Sequence, residues 1–158
     1  FSMTGWRIGY IGAPEFIAKA CNKFQGQITS AANCIAQRSA ITALKAPVSK
    51  IKYMIDEFSS RKELIFDLVS KIPGFKLLKP SGAFYLFPDI SFYFGKVIRG
   101  KIINDANDFA MTILEEANVA TVSGDSFGNI NCLRISYAAS KEEIIEAVSR
   151  IKNLLANS

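Results

Sequence analysis

A chain of 158 residues of which 49% are hydrophobic can bury a core of its own, and so high an apolar share leads us to expect surface that faces further protein. The formal net charge of +5 comes from lysines and arginines scattered along the sequence with no recognition motif among them, so it reads as a solvated surface and argues against nucleic-acid binding. No histidine is present and no run approaches the ~18 apolar residues of a membrane span, which excludes histidine-based triads, histidine-ligated metals and a helical membrane anchor from this stretch.

The elements follow in chain order. Gly5 to Ile11 alternates large apolar residues with Arg7 and Gly9, a pattern that predicts a strand leaving a tight turn, with Trp6, Ile8 and Tyr10 on one side. Pro14 followed by Glu15 opens a helix over about 14–25. A second helical pattern runs from Ala31 to Leu44, with Thr29 or Ser30 as candidate caps. Pro47 then starts a long helix to about Lys71, with Ile51, Met54, Ile55, Phe58, Ile65 and Leu68 on a broad apolar face. At ~1.5 Å per residue it would reach roughly 35 Å, which suits a strut between two domains. Pro73-Gly74 ends it.

Strands are expected at 75–79 and 83–87, then a loop through Gly100. Asp105 caps a helix to Asn118 that carries Phe109, Ile113 and Leu114. Val119–Val122 and Cys132–Tyr137 read as strands. Ser140-Lys141-Glu142-Glu143 is a capping box for a last helix with Ile144, Val148, Ile151 and Leu155 on one stripe. Cys21, Cys34 and Cys132 fit no metal or redox spacing and read as thiols of a reducing compartment. No zinc ligand set is apparent. The sequence opens on Phe1 and shows neither an initiator Met nor a signal-peptide pattern, so no address is expected from it.

Two arginines stand in contexts that bear on chemistry. Arg7 lies in Phe1-Ser2-Met3-Thr4-Gly5-Trp6-Arg7-Ile8-Gly9, and Arg134 in Leu133-Arg134-Ile135-Ser136-Tyr137-Ala138. Taken singly, each is an ordinary arginine at a strand. A planar guanidinium can, however, bind two oxygens of a phosphate or carboxylate at once, which a lysine cannot. Between them lie Pro80-Ser81-Gly82-Ala83-Phe84-Tyr85, a turn feeding an aromatic strand, and the loop Val122-Ser123-Gly124-Asp125-Ser126-Phe127-Gly128.

Together these stretches resemble the class I pyridoxal-phosphate aminotransferases, closest to the aspartate aminotransferase family, over essentially the whole chain. The N-terminal run is similar to the family's segment after its cofactor-binding lysine, Ser-Lys-x-Phe-[Ser/Ala]-Met-Thr-Gly-Trp-Arg-[Ile/Leu]-Gly. The resemblance implies an α/β fold, the C-terminal part of a fold-type I transferase: residues 1–45 as the end of the large cofactor-binding domain, 46–72 as a connecting helix, and 73–158 as the small α/β domain. It implies that Arg7 binds the phosphate of pyridoxal 5′-phosphate and that Arg134 clamps the substrate α-carboxylate. No catalytic residue is assigned within the chain, because the Schiff-base lysine is expected two positions upstream of Phe1.

The Pro80–Tyr85 turn is read as scaffold bordering the cleft. Phe127 reads equally as a wall of the substrate pocket and as packing. The family commonly has Pro where Ser123 stands, and Ser-x-Pro in the stretch occupied here by Gln27–Gln37, so Thr29 and Ser30 receive no firm role. The implied reaction moves an amino group between an amino acid, with aspartate foremost, and a 2-oxo acid, in a cytoplasmic homodimer. The isolated chain is expected to be inactive, with residues 1–45 displaced, disordered or paired with another copy. Two alternatives share these motifs: a lyase or synthase on the same fold, told apart by its products, and a sensor domain of a transcription regulator, told apart by a DNA-binding domain upstream.

Overall fold

A computed structural model describes residues 1–156. The chain divides into two compact units, Phe1–Tyr53 and Met54–Ser158.

The first unit is helical. Helix α1 spans Glu15–Ile28, with the Pro14 carbonyl accepting from Ile17 and Ala18 and a Glu15–Lys19 ion pair one turn along its surface. Helix α2 spans Cys34–Lys45. It begins three residues later than expected, because the cap is neither Thr29 nor Ser30 but Asn33. The Asn33 side chain accepts the N–H groups of Ile35 and Ala36 at 2.9 and 3.0 Å, which satisfies two of the orphan donors of the first turn. Pro47, two residues beyond the last residue of α2, bars its continuation.

The expected strand at the start of the chain does not form. Thr4–Trp6 is a 3-10 turn closed by Trp6 N–H to Met3 O and Arg7 N–H to Thr4 O. The residues that follow, up to Pro14, take no regular structure. A strand needs a neighbour to receive its N–H and C=O groups, and this unit holds none, so the chain satisfies part of its backbone locally. Ala36 is the one buried side chain among its described residues. Tyr10, Phe16, Phe24 and Ile28 are each 70% exposed or more.

Helix α3, Lys52–Ser70, follows a 3-10 turn at Val48–Lys50 that splits the expected long helix, so it is about 28 Å long. It buries Ile65 and Val69, and half-buries Phe58 and Leu68, against the core of the second unit. Gly74 ends the segment with φ +81°, and a side chain there would strike the Phe92 ring.

The second unit is mixed α/β. Strand β1 is Tyr85–Leu86, short of the 83–87 expected, and the 75–79 segment contributes only a bridge between Lys76 and Asp89. Strands β2, Val97–Ile98, and β3, Lys101–Ile102, form a hairpin where a loop was expected. Its two turn residues, Arg99 and Gly100, both take positive φ (49° and 78°), as a two-residue primed turn requires. Helix α4, Ala106–Ala117, is capped by Asp105, whose carboxylate accepts from Asn107 and Asp108, and ends at Asn118 in the left-handed region. It buries Phe109 and Ile113 but leaves Leu114 exposed.

Strands β4, Val122–Ser123, and β5, Leu133–Ser136, complete an antiparallel sheet of order β1-β5-β4. Helix α5, Lys141–Ala156, begins at the expected capping box: Glu143 N–H donates to Ser140 Oγ, and Ser140 N–H donates to the Glu143 carboxylate at 2.8 Å. It buries Ile144, Val148, Ile151 and Leu154, whereas the expected Leu155 is only half-buried. Helix α4 packs on α5 and on β4. Leu86, Phe109, Leu133, Tyr137 and Ile151 fill the space between sheet and helices. Among the described residues no helix is long and apolar enough to cross a membrane.

Candidate functional site

Strand β5 is the middle strand of the sheet, and its residues alternate between faces. Leu133 and Ile135 enter the core; Arg134 and Ser136 look outward. Pairing sets the neighbours: Val122 of β4 lies opposite Arg134, and Tyr85 of β1 lies opposite Ser136. On that outer face the Arg134 guanidinium carbon is 4.0 Å from the Phe127 ring centroid and 4.7 Å from that of Tyr85. The cation therefore lies over two rings. Among the described residues it has no carboxylate partner and no hydrogen bond.

Both rings stand on braced backbone. Phe127 ends the 3-10 turn Asp125–Phe127 and donates its N–H to Gly124 O at 2.9 Å, while Gly124 N–H donates to Cys132 O at 2.8 Å. The Ser123 hydroxyl and the Ser126 N–H hold the Asp125 carboxyl below its ordinary pKa, so the acid at the head of this turn stays ionised. Tyr85 follows a turn in which Ala83 has φ +59°, an unfavourable conformation for a residue with a Cβ. Buried Tyr137 holds that turn: its hydroxyl donates to Ala83 O at 2.9 Å and its N–H to Phe84 O at 2.9 Å.

Arg7 belongs to the first unit. It sits at the end of the Thr4–Trp6 turn with φ +52°, and its guanidinium donates to Thr4 O at 3.4 Å. It is exposed and borders a cavity of about 580 Å³ lined by Ser2, Gly5, Trp6, Asn33, Ile35 and Ala36. The first turn of α2, with its positive dipole end, thus opens on the same space as the guanidinium. No carboxylate pairs with Arg7 among the described residues. A cationic side chain, a helix N-terminus and room for several atoms form an environment into which a phosphate group fits.

Of the other residues singled out in the sequence, Ser30 also takes a positive φ of 64°, and Thr29 accepts a hydrogen bond from the Gln25 amide. Sequence reasoning assigned the stretch ending in Tyr85 to scaffold and so missed that its ring lies on Arg134. The available signal was an aromatic at the end of a Pro/Gly turn, but the pairing of β1 with β5 is what carries it there. The sole cysteine of the second unit, Cys132, is buried, which pushes its thiol pKa upward; Cys21 and Cys34 are exposed.

The comparisons with known proteins agree on one family. The model of aminotransferase class I and II matches residues 1–151. The bifunctional aspartate aminotransferase and glutamate/aspartate-prephenate aminotransferase of Petunia hybrida is 43% identical over 98% of this chain and 33% of its own length. The crystal structure of the aspartate aminotransferase from Rhizobium meliloti superimposes with a TM-score of 0.87 at 39% identity, over 98% of this chain and 39% of that one. An aromatic aminotransferase from Pyrococcus horikoshii superimposes with a TM-score of 0.82 at 33% identity, over 99% of this chain and 40% of that one. The chain thus spans about two fifths or less of these relatives and aligns with their C-terminal part. Its mixed α/β architecture is that of the C-terminal part of fold-type I enzymes. Sequence and fold together make this chain a member of aminotransferase class I and II.

Proposed function

We propose that this chain forms the C-terminal part of a pyridoxal-phosphate-dependent aminotransferase that transfers an amino group from an amino acid, aspartate foremost, to a 2-oxo acid. The observation that carries this reading is Arg134, a guanidinium that lies over two aromatic rings and has, among the described residues, no carboxylate or hydrogen-bond partner. A planar carboxylate matches the edge of such a cation through two parallel charge-assisted bonds, which fixes the α-carbon of the amino acid in one orientation. Arg7, beside the first turn of α2, is the phosphate anchor in this reading.

Pyridoxal phosphate, when bound, supplies the electron sink that makes the α-proton of an amino acid removable. This chain's residues bind and orient: Arg7 holds the phosphate, Arg134 holds the α-carboxylate, and Phe127 shields one face of that ion pair from water. The proton-transferring lysine is assigned outside them. Residues 1–45 belong in this reading to the large domain, 46–72 to the connecting helix and 73–158 to the small domain. The division at Tyr53/Met54, inside α3, is compatible with a helix that serves both domains. The apolar surface of the first unit supports burial against the rest of a cofactor domain and a second subunit, in a cytoplasmic homodimer.

The test is a chimera in which this chain replaces the matching C-terminal part of the Rhizobium meliloti aspartate aminotransferase, assayed with aspartate and 2-oxoglutarate. We expect turnover from the chimera and none from the 158-residue chain alone, even with pyridoxal phosphate added. Arg134→Ala in the chimera should lower kcat/KM by about 100-fold or more, the scale of stranding one partner of a buried carboxylate pair. Turnover by the chain alone, or a chimera indifferent to Arg134→Ala, would overturn the assignment.

A further inference from the structure

We infer that Tyr85 and Phe127 are positioning residues that set the plane of the Arg134 guanidinium and so leave its N–H edges aimed at the substrate carboxylate. The inference rests on the proposed role of Arg134 and deepens it. A guanidinium carries five in-plane donors and none above or below its plane. Rings stacked on its faces therefore restrain the cation without using a donor. An arginine oriented by a carboxylate or a carbonyl has a partner that an incoming ligand must displace. Arg134 has neither among the described residues, and its ring centroids lie at 4.0 and 4.7 Å.

The sequence separates the two rings, and the fold brings them to the same cation from either side of β5. Tyr85 arrives on the β1 side, in the register Tyr85↔Ser136, and is supported by Phe84 at 4.4 Å between centroids. Phe127 arrives on the β4 side, on the turn that follows that strand. The Tyr137–Ala83 hydrogen bond fixes the turn before Tyr85, and the Gly124–Cys132 hydrogen bond fixes the turn that bears Phe127. An arginine held this way loses less freedom on meeting a carboxylate, so affinity rises through pre-organisation rather than through a new contact. Phe127 is 45% exposed, so its ring is placed more by this stacking than by the core.

The experiment uses the full 158-residue chain and follows the Arg134 Nε–H resonance by NMR while maleate, a planar dicarboxylate, is titrated in. With both rings present, that resonance should sit upfield of an ordinary arginine because of the ring currents, and it should move as maleate saturates. Phe127→Leu and Tyr85→Leu should each return it towards the ordinary value and weaken maleate binding about 3-fold, the scale of an exposed cation–π contact. Phe127→Tyr and Tyr85→Phe, which keep a ring, should preserve both readouts. A general loss of structure would move resonances throughout the spectrum and would not be rescued by exchanging one ring for the other; if Tyr85→Leu unfolds, the Phe127 pair decides alone. Leucine variants that keep the resonance and the maleate titration would overturn the inference. A maleate titration indifferent to Arg134→Ala would instead sink the carboxylate role of Arg134, and the resonance would still report on the rings.

Discussion

Asp89 shows how much a single side chain can tie down in the second unit. Its backbone exchanges two hydrogen bonds with Lys76, and its carboxylate accepts the Ser91 N–H at 2.8 Å. Hydrogen bonds from the Ser91 hydroxyl and N–H, aided by the Lys76 charge, hold the Asp89 carboxyl below its ordinary pKa. A depressed folded-state pKa means that the stabilisation is complete above the unfolded value of about 3.9 and is lost as pH falls through the folded one. Asp89→Asn should therefore lower the melting temperature near neutrality, and the gap from the parent chain should close as the pH is taken below about 4. A gap unchanged between pH 7 and pH 3 would show that the carboxylate charge contributes nothing.

Other residues at this scale speak through near neighbours. Asp105, and Ser140 with Glu143, cap helices as their spacing predicts, because donor and acceptor lie within three positions of each other. Asn33 caps α2 in place of Thr29 or Ser30 because several capping types compete in that stretch, and only the backbone path selects among them.

At the scale of elements, the loop between β4 and β5 depends on a glycine for space. A Cβ on Gly124 would stand 2.4 Å from Asn129 O and 2.6 Å from Cys132 O, both backbone atoms that cannot swing away. Gly124→Ala should cost about 1–3 kcal/mol of stability, as overpacking does, and displace the turn that carries Phe127. Thermal denaturation and the Arg134 Nε–H resonance check this together: an alanine variant with the parent's melting temperature and resonance would show that the loop yields without consequence.

The β2–β3 hairpin reads as loop in the sequence because two-residue strands have almost no period to detect, and its Arg99-Gly100 turn emerges only with the pairing. The Trp6–Ile11 segment alternates as a strand would but lacks a partner within its unit, and pairing rather than alternation makes a strand. Leu154 displaces Leu155 from the buried stripe because 3.6-residue periodicity leaves either able to face inward at the end of α5, and packing on the core chooses between them.

The whole molecule is divided in its packing. The second unit buries a continuous cluster from Ile65 to Leu154, while the first buries Ala36 alone among its described residues. With so little apolar surface removed from water, the first unit has little to offset the entropy of ordering its helices. In the isolated chain, amide hydrogens of residues 1–53 should exchange markedly faster than those of β5, α4 and α5. Exchange mass spectrometry reads this directly, and equal protection in the two units would show that the first is stable without further protein.

At this scale the excess of apolar residues noted in the sequence finds its place: much of it is the exposed surface of the first unit. Family, fold class and the two arginine motifs were all legible in the linear sequence, because the cues are runs of adjacent residues. Helix ends were mostly legible for the same reason: caps and breakers act within a turn. The surroundings of Arg134 were not. Tyr85 and Phe127 meet it only once β1 and β4 have paired on either side of β5, and contacts between residues distant in the chain arise from pairing register and packing, which no local pattern encodes.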